Sequence, residues 1–156
     1  MANLFPEGYE DEVITAEDLT SDTPTGYRNG ISFDYATGDF RRDGTNKILD
    51  SDGIESWKSW CTNCLMTERY AHLAYSSDFG ISTAAAMQAG SREEAESILV
   101  REITEALLAD PYKRTNYVEN ITFDWTAPDT VAVQVTIHGV DKVTIDVTTY
   151  ITQGGT

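Results

Sequence analysis

What is scarce in this chain of 156 residues narrows its function before any motif is sought. Basic residues are few: 11 Lys and Arg stand against 26 Asp and Glu, a formal charge of −15, with a pI near 4.2. Phosphate-binding surfaces are built from Lys and Arg clusters, and no such run occurs, so neither nucleic acid nor an anionic membrane is an expected partner. No apolar stretch approaches the roughly 18 to 20 residues that cross a bilayer. The opening Met1-Ala2-Asn3-Leu4-Phe5-Pro6 has neither a basic region nor an apolar run. The expectation is a protein made and kept in the cytosol unless a larger assembly carries it out. Histidine is limited to His72 and His138, which lack zinc-finger spacing relative to Cys61 and Cys64, so no metal and no cofactor is expected. Gly-x-Ser-x-Gly and both phosphate-binding glycine patterns are missing.

What is present suffices for one packed core, with 40% apolar residues and only 4 prolines. Residues 1 to 26 carry Glu7, Glu10, Asp11, Glu12, Glu17, Asp18 and Asp22 with no Lys or Arg. They read as an acidic arm, either disordered in isolation or laid as a strap across a neighbour. Residues 27 to 156 read as a single α+β domain. Its first piece is a short hairpin, in which Ile31, Phe33 and Tyr35 alternate with polar residues and Ala36-Thr37-Gly38-Asp39 supplies the turn before Phe40.

Two main helices follow. Asp52 caps a helix from about Gly53 to Thr67, with Glu55 in its first turn and Ile54, Trp57, Cys61, Cys64 and Leu65 at helical spacing. Ser91-Arg92-Glu93-Glu94 is a capping box opening a second, striped by Ala95, Ile98, Leu99, Ile103, Ala106 and Leu107 and ended by Asp110-Pro111. Ile81 to Gln88 is helix-prone and closed by Gly90. After residue 116 the period becomes two. Val118/Ile121/Phe123/Trp125, Val131/Val133/Val135/Ile137 and Val143/Ile145/Val147/Ile151 read as three strands of a small antiparallel sheet packed on the two helices.

Two constellations invite a catalytic reading. Trp60-Cys61-Thr62-Asn63-Cys64 has the Trp-Cys-x-x-Cys form of a thiol-disulfide oxidoreductase. That chemistry wants the first thiol at a helix N-terminus, whereas this pair lies two turns inside, on or beside the apolar stripe. A glycosidase needs two carboxylates in an apolar cleft; Glu68 and Glu105 are candidates, with nothing to distinguish them from solvated acids. No catalytic residue is assigned. A third reading is a generic acidic interaction module using the arm. Aromatics and one arginine gather after the first helix, in Met66 to Tyr70 and Tyr75 to Gly80, in a composition suited to a buried contact.

Taken in order, Tyr27-Arg28-Asn29-Gly30-Ile31-Ser32-Phe33-Asp34-Tyr35, Asp52-Gly53-Ile54-Glu55-Ser56-Trp57-Lys58, Thr67-Glu68-Arg69-Tyr70, Tyr75-Ser76 and Asp78-Phe79-Gly80 resemble the sheath-initiator, or baseplate wedge, proteins of contractile phage tails and related injection machines. The resemblance covers roughly Tyr27 to Ile151. Its nearest branch is the small wedge proteins of phages and prophages from Gram-positive bacteria, in the lysozyme-like baseplate family. The family's Glu-Pro-Arg motif is represented here by Asp110-Pro111-Tyr112-Lys113-Arg114, with the arginine absent or displaced to Arg114.

The resemblance implies a structural subunit of a virion tail baseplate, assembled in the host bacterial cytoplasm within a six-fold hetero-oligomer. Its partners would be the tail sheath protein, other wedge proteins, and the tail hub or tube. Arg69, Tyr70, Asp110, Pro111 and Arg114 would face the wedge and its core. Because sheath subunits join by exchanging strands, an initiator must offer an open sheet edge. Ile145, Asp146, Val147, Thr148 and Thr149 are the expected edge, in a segment with no proline and a single charge; the alternative is an ordinary last strand covered by the N-terminal region.

Overall fold

The computed structural model describes residues 26–152, so the acidic arm, Gly26 apart, lies outside the described residues. The hairpin forms as expected: β2 (Phe33–Asp34) pairs with β3 (Asp39–Phe40) in antiparallel register. The Phe33 ring packs edge-on against Tyr35 and Phe40, with centroids at 5.0 and 5.5 Å. Around it lies a second short ladder, β1 (Gly30–Ile31) with β4 (Asp50–Ser51), which leads the chain into the first helix.

Helix α1 (Gly53–Met66) opens on Asp52, whose Oδ1 accepts the Glu55 amide at 2.8 Å. A single turn, α2 (Ala84–Met87), precedes α3 (Arg92–Leu108). The Ser91 hydroxyl accepts the Glu94 amide at 3.2 Å. The Glu94 carboxylate reaches one residue farther back than a capping box requires, accepting from the Gly90 amide at 3.0 Å.

The main sheet has the order β5-β6-β7: β5 (Thr115–Ala127), β6 (Thr130–Gly139) and β7 (Thr144–Thr152), all antiparallel. The fold class is α+β. A 3-10 turn, Val140–Lys142, joins β6 to β7. The spacing of three between Val118 and Ile121 interrupts the period of two, and there the register shifts between Glu119 and Thr122, with Asn120 at φ 51°. This bulge restores Ile121 and Phe123 to the core-facing side.

The core lies between α1, α3 and one face of this sheet. Trp57, Cys61, Cys64 and Leu65 from α1 meet Leu99, Ile103, Ala106 and Leu107 from α3 over Val131, Val133, Val135 and Ile137. Tyr27 closes one end, its ring 5.3 Å from that of Trp57 and its hydroxyl donating to the Val140 carbonyl at 2.8 Å. One core expectation is corrected. Ile54 is 43% exposed; with Lys58, Thr62 and Met66 at steps of four it forms a second stripe, about 100° around the helix from Trp57 and Cys61. Among the described residues, no helix is long and apolar enough to cross a membrane.

Candidate functional site

The sheet has two outer edges of different quality. β5 is broken by three register shifts, which re-aim its backbone and blunt it as a template. β7 pairs with β6 from Thr144 to Thr152 without a shift, and among the described residues no strand pairs with its other side. In an antiparallel pair, alternate residues turn their N–H and C=O away from the partner, so β7 presents a regular row of such groups outward. Ile145, Val147 and Thr149 face the core and are buried, while Asp146 and Thr148 face solvent. The Asp146 carboxylate accepts from the Thr136 hydroxyl at 2.7 Å.

A groove of about 990 Å³ runs along this strand. Five consecutive β7 residues, Asp146 to Tyr150, line it. Consecutive residues point to opposite faces, so a cleft lined by all of them runs beside the strand's edge rather than across one face. Its other walls are Ile54, Lys58, Thr62 and Met66 of α1 and Phe33 and Tyr35 of the hairpin. Sequence reasoning missed these wall residues, because the stripe at positions 54, 58, 62 and 66 mixes Ile and Met with Lys and Thr and carries no apolar period.

The other residues expected to make contacts lie in the loop after α1 and in the turn after α3. Arg69 is turned inward: its Nε donates to the Gly80 carbonyl at 3.0 Å, and its guanidinium lies 3.5 Å from the Glu102 carboxylate. Glu102 also accepts from the Ser82 amide at 3.1 Å, and Glu68 accepts from both the amide and the hydroxyl of Thr83. Backbone bonds between Arg69 and Ile81 and between Ile81 and Thr67 complete the base of the loop. Gly80 sits at φ +93°, and a Cβ there would stand 2.7 Å from the Thr67 carbonyl oxygen, so only glycine fits. On this pinned base Tyr70 and Leu73 stand exposed, Leu73 completely.

Asp110 and Arg114 are both buried and bound to each other, with Nε and Nη2 each 2.8 Å from a carboxylate oxygen. Asp110 also accepts the Arg114 amide at 2.8 Å. The Arg114 guanidinium lies 5.1 Å from the ring centre of Tyr112 and 5.6 Å from that of Trp60. Pro111 alone of this segment's predicted contacts is exposed, at the rim of a hollow of about 340 Å³ walled by Trp60, Tyr75 and Phe79. Neither Asp110 nor Arg114 was legible as buried, because the pairing depends on a turn outside any regular element.

Cys61 and Cys64 are free and buried. Burial pushes both thiols above their ordinary value, with the Asp110 carboxylate adding to the effect at Cys61. The Cys64 thiol points at the Ala106 carbonyl, 3.8 Å away, joining α1 to α3. A redox thiol has the opposite tendency. Glu105 is exposed, and Glu68 is occupied with Thr83.

The chain matches the family described as contractile injection system sheath initiator over residues 30–142. That span runs from β1 through β6 and ends at the turn before β7. No curated protein matches the chain.

Proposed function

The chain belongs to the sheath-initiator family of contractile injection systems, and from that premise we propose that it lends the free edge of β7 to a strand donated by the tail sheath protein. In this reading the first sheath ring is templated on a baseplate by main-chain hydrogen bonds, which give affinity without demanding side-chain chemistry. The observation that carries it is the contrast between edges: β7 is regular and flanked by an open groove, whereas β5 is bulged three times. Natural sheets guard an unneeded edge with bulges, prolines or inward charges, and β7 has none of these along Ile145 to Thr149.

The opposite contact, to other wedge proteins and the hub or tube, falls to the pinned loop and the Asp110–Arg114 turn. Tyr70, Leu73 and Pro111 supply the surface, while Arg69, Asp110 and Arg114 act from within by holding the backbone that displays them. Six copies around the tail tube would complete the assembly at the base of the tail. The role is structural rather than catalytic; the inward, proton-holding cysteines favour this over thiol exchange.

The test is complementation of a strain lacking the gene, with particles viewed by electron microscopy. Wild type restores sheathed tails. Val147→Pro and Thr148→Pro are compared, because one of two adjacent N–H groups faces away from β6 and its loss leaves the β6–β7 ladder whole. The variant that retains wild-type circular dichroism is expected to leave tubes and baseplates bare. Normal sheaths from that variant would remove β7 from the contact.

A further inference from the structure

Strand pairing alone requires one edge, yet the groove beside β7 has a third wall. The Tyr35 hydroxyl donates to the Ser59 carbonyl at 3.0 Å and lies 3.1 Å from the Asn63 side-chain oxygen, so the hairpin is braced on α1. Behind Tyr35, the edge-on contacts with Phe33 and of Phe33 with Phe40 make the hairpin a small aromatic block. Its surface lines the groove together with Ile54 and Met66 of α1, which are 43% and 59% exposed, so apolar area of both the hairpin and the helix is uncovered among the described residues.

An extended segment laid on β7 has a period of two. Its helix-side residues enter the space between α1 and the hairpin, where apolar side chains would cover Ile54, Met66, Phe33 and Tyr35. Its other residues join Asp146, Thr148 and Tyr150 on the solvated face. Around the groove stand Asp52, Glu55 and Asp146 against Arg41 and Lys58, and Arg41 already leans toward Glu55 at 3.9 Å. The walls therefore favour an incoming strand of positive rather than negative charge.

We propose that the β2–β3 hairpin is a clamp for the donated strand. It turns the β7 edge into a slot for an extended sheath segment with apolar residues at alternate positions and a basic residue among the intervening ones, facing Asp146. This rests on the strand-donation reading above and adds to it a residue-level selector, Tyr35 with Phe33, and the chemistry of the segment selected. Closing the slot also opposes growth of the sheet by further strands.

The test uses the full chain and overlapping synthetic peptides spanning the terminal segments of its machine's sheath protein, with affinities read by fluorescence anisotropy. One peptide with the stated pattern is expected to bind, and its version N-methylated at alternate residues is expected to bind no longer. Tyr35→Ala should weaken binding at least about tenfold. Tyr35→Phe should weaken it less, because the ring stays while its tether to α1 is cut. Met66→Ala, on the α1 wall, should weaken it independently of the hairpin.

If N-methylation abolishes binding while Tyr35→Ala and Phe33→Ala bind as wild type, strand donation stands and the clamp is overturned. If N-methylation is harmless, or no peptide binds, strand donation falls and the clamp with it. A photo-cross-linking residue in place of Thr62 identifies the occupant. Cross-links to the peptide support the proposal, whereas cross-links to the chain's own residues 1–22 or to a second copy, persisting with the peptide present, overturn it.

Discussion

Arg114 closes on Asp110 across a turn, with two contacts of 2.8 Å between side chains that are both removed from solvent. The pair ties the end of α3 to the start of β5 and so fixes where Pro111 emerges. Breaking a buried pair from one side leaves an uncompensated charge, at a cost of about 3–5 kcal/mol. Arg114→Met and Asp110→Leu should each lower stability by that order in urea titrations. The double variant should cost much less than the sum, and strictly additive losses would show that the two side chains act independently.

The loop base makes a more local prediction. Arg69 joins the Gly80 carbonyl to Glu102, so Arg69→Met should cost about 1–3 kcal/mol through the bonds left unmade. Hydrogen exchange should accelerate more within residues 67–83 than along β6, whose amides gain only the factor set by the loss of global stability. Acceleration by one common factor throughout the chain would mean that Arg69 supports the whole core rather than the loop.

At the loop's tip the expectation reverses. Tyr70→Ala and Leu73→Glu alter exposed side chains, so stability should stay within about 0.5 kcal/mol of wild type. Retention of the chain on isolated baseplates lacking it should fall sharply in a pull-down. Unchanged retention would move the wedge contact off this loop.

The cysteines carry a pH prediction. Burial raises both thiol pKa values above the ordinary 9.0, so the folded chain holds protons that the unfolded chain releases. Their stabilising contribution is complete below pH about 9 and declines as pH rises above it, by up to about 1.4 kcal/mol per pH unit for each thiol. The urea midpoint should therefore fall between pH 9 and 10, and the slope should be shallower in Cys61→Ala. A thiol reagent should find neither cysteine until the chain unfolds. Rapid labelling of one thiol in the native state would restore the oxidoreductase reading.

Much of this architecture was legible because it repeats short-range physics. Asp52 and Ser91 announce helix starts through their side-chain oxygens, and the alternation from Val131 to Ile137 can serve only a strand with one buried face. The β1–β4 ladder was not legible, since Asp50 and Ser51 show no strand pattern and are held by Gly30 and Ile31 from a distance. Nor was the groove. Ile54 recurs with the core positions at helical spacing, and the sequence does not reveal that it stands at their margin, on a mixed stripe with Lys58, Thr62 and Met66 that the fold leaves open. The same limit hid Arg114, whose charge suggested surface until its partner was placed beside it.

Hydrogen–deuterium exchange along β7 tests the central claim most directly. The chain is measured alone and with the tail sheath protein of its machine. Strand donation predicts that about half the amides in residues 144–152 slow markedly on addition of sheath protein, because alternate N–H groups gain acceptors, while β5 stays as it was. Unchanged exchange along β7, with protection appearing instead on β5 or the loop at 67–83, would contradict it.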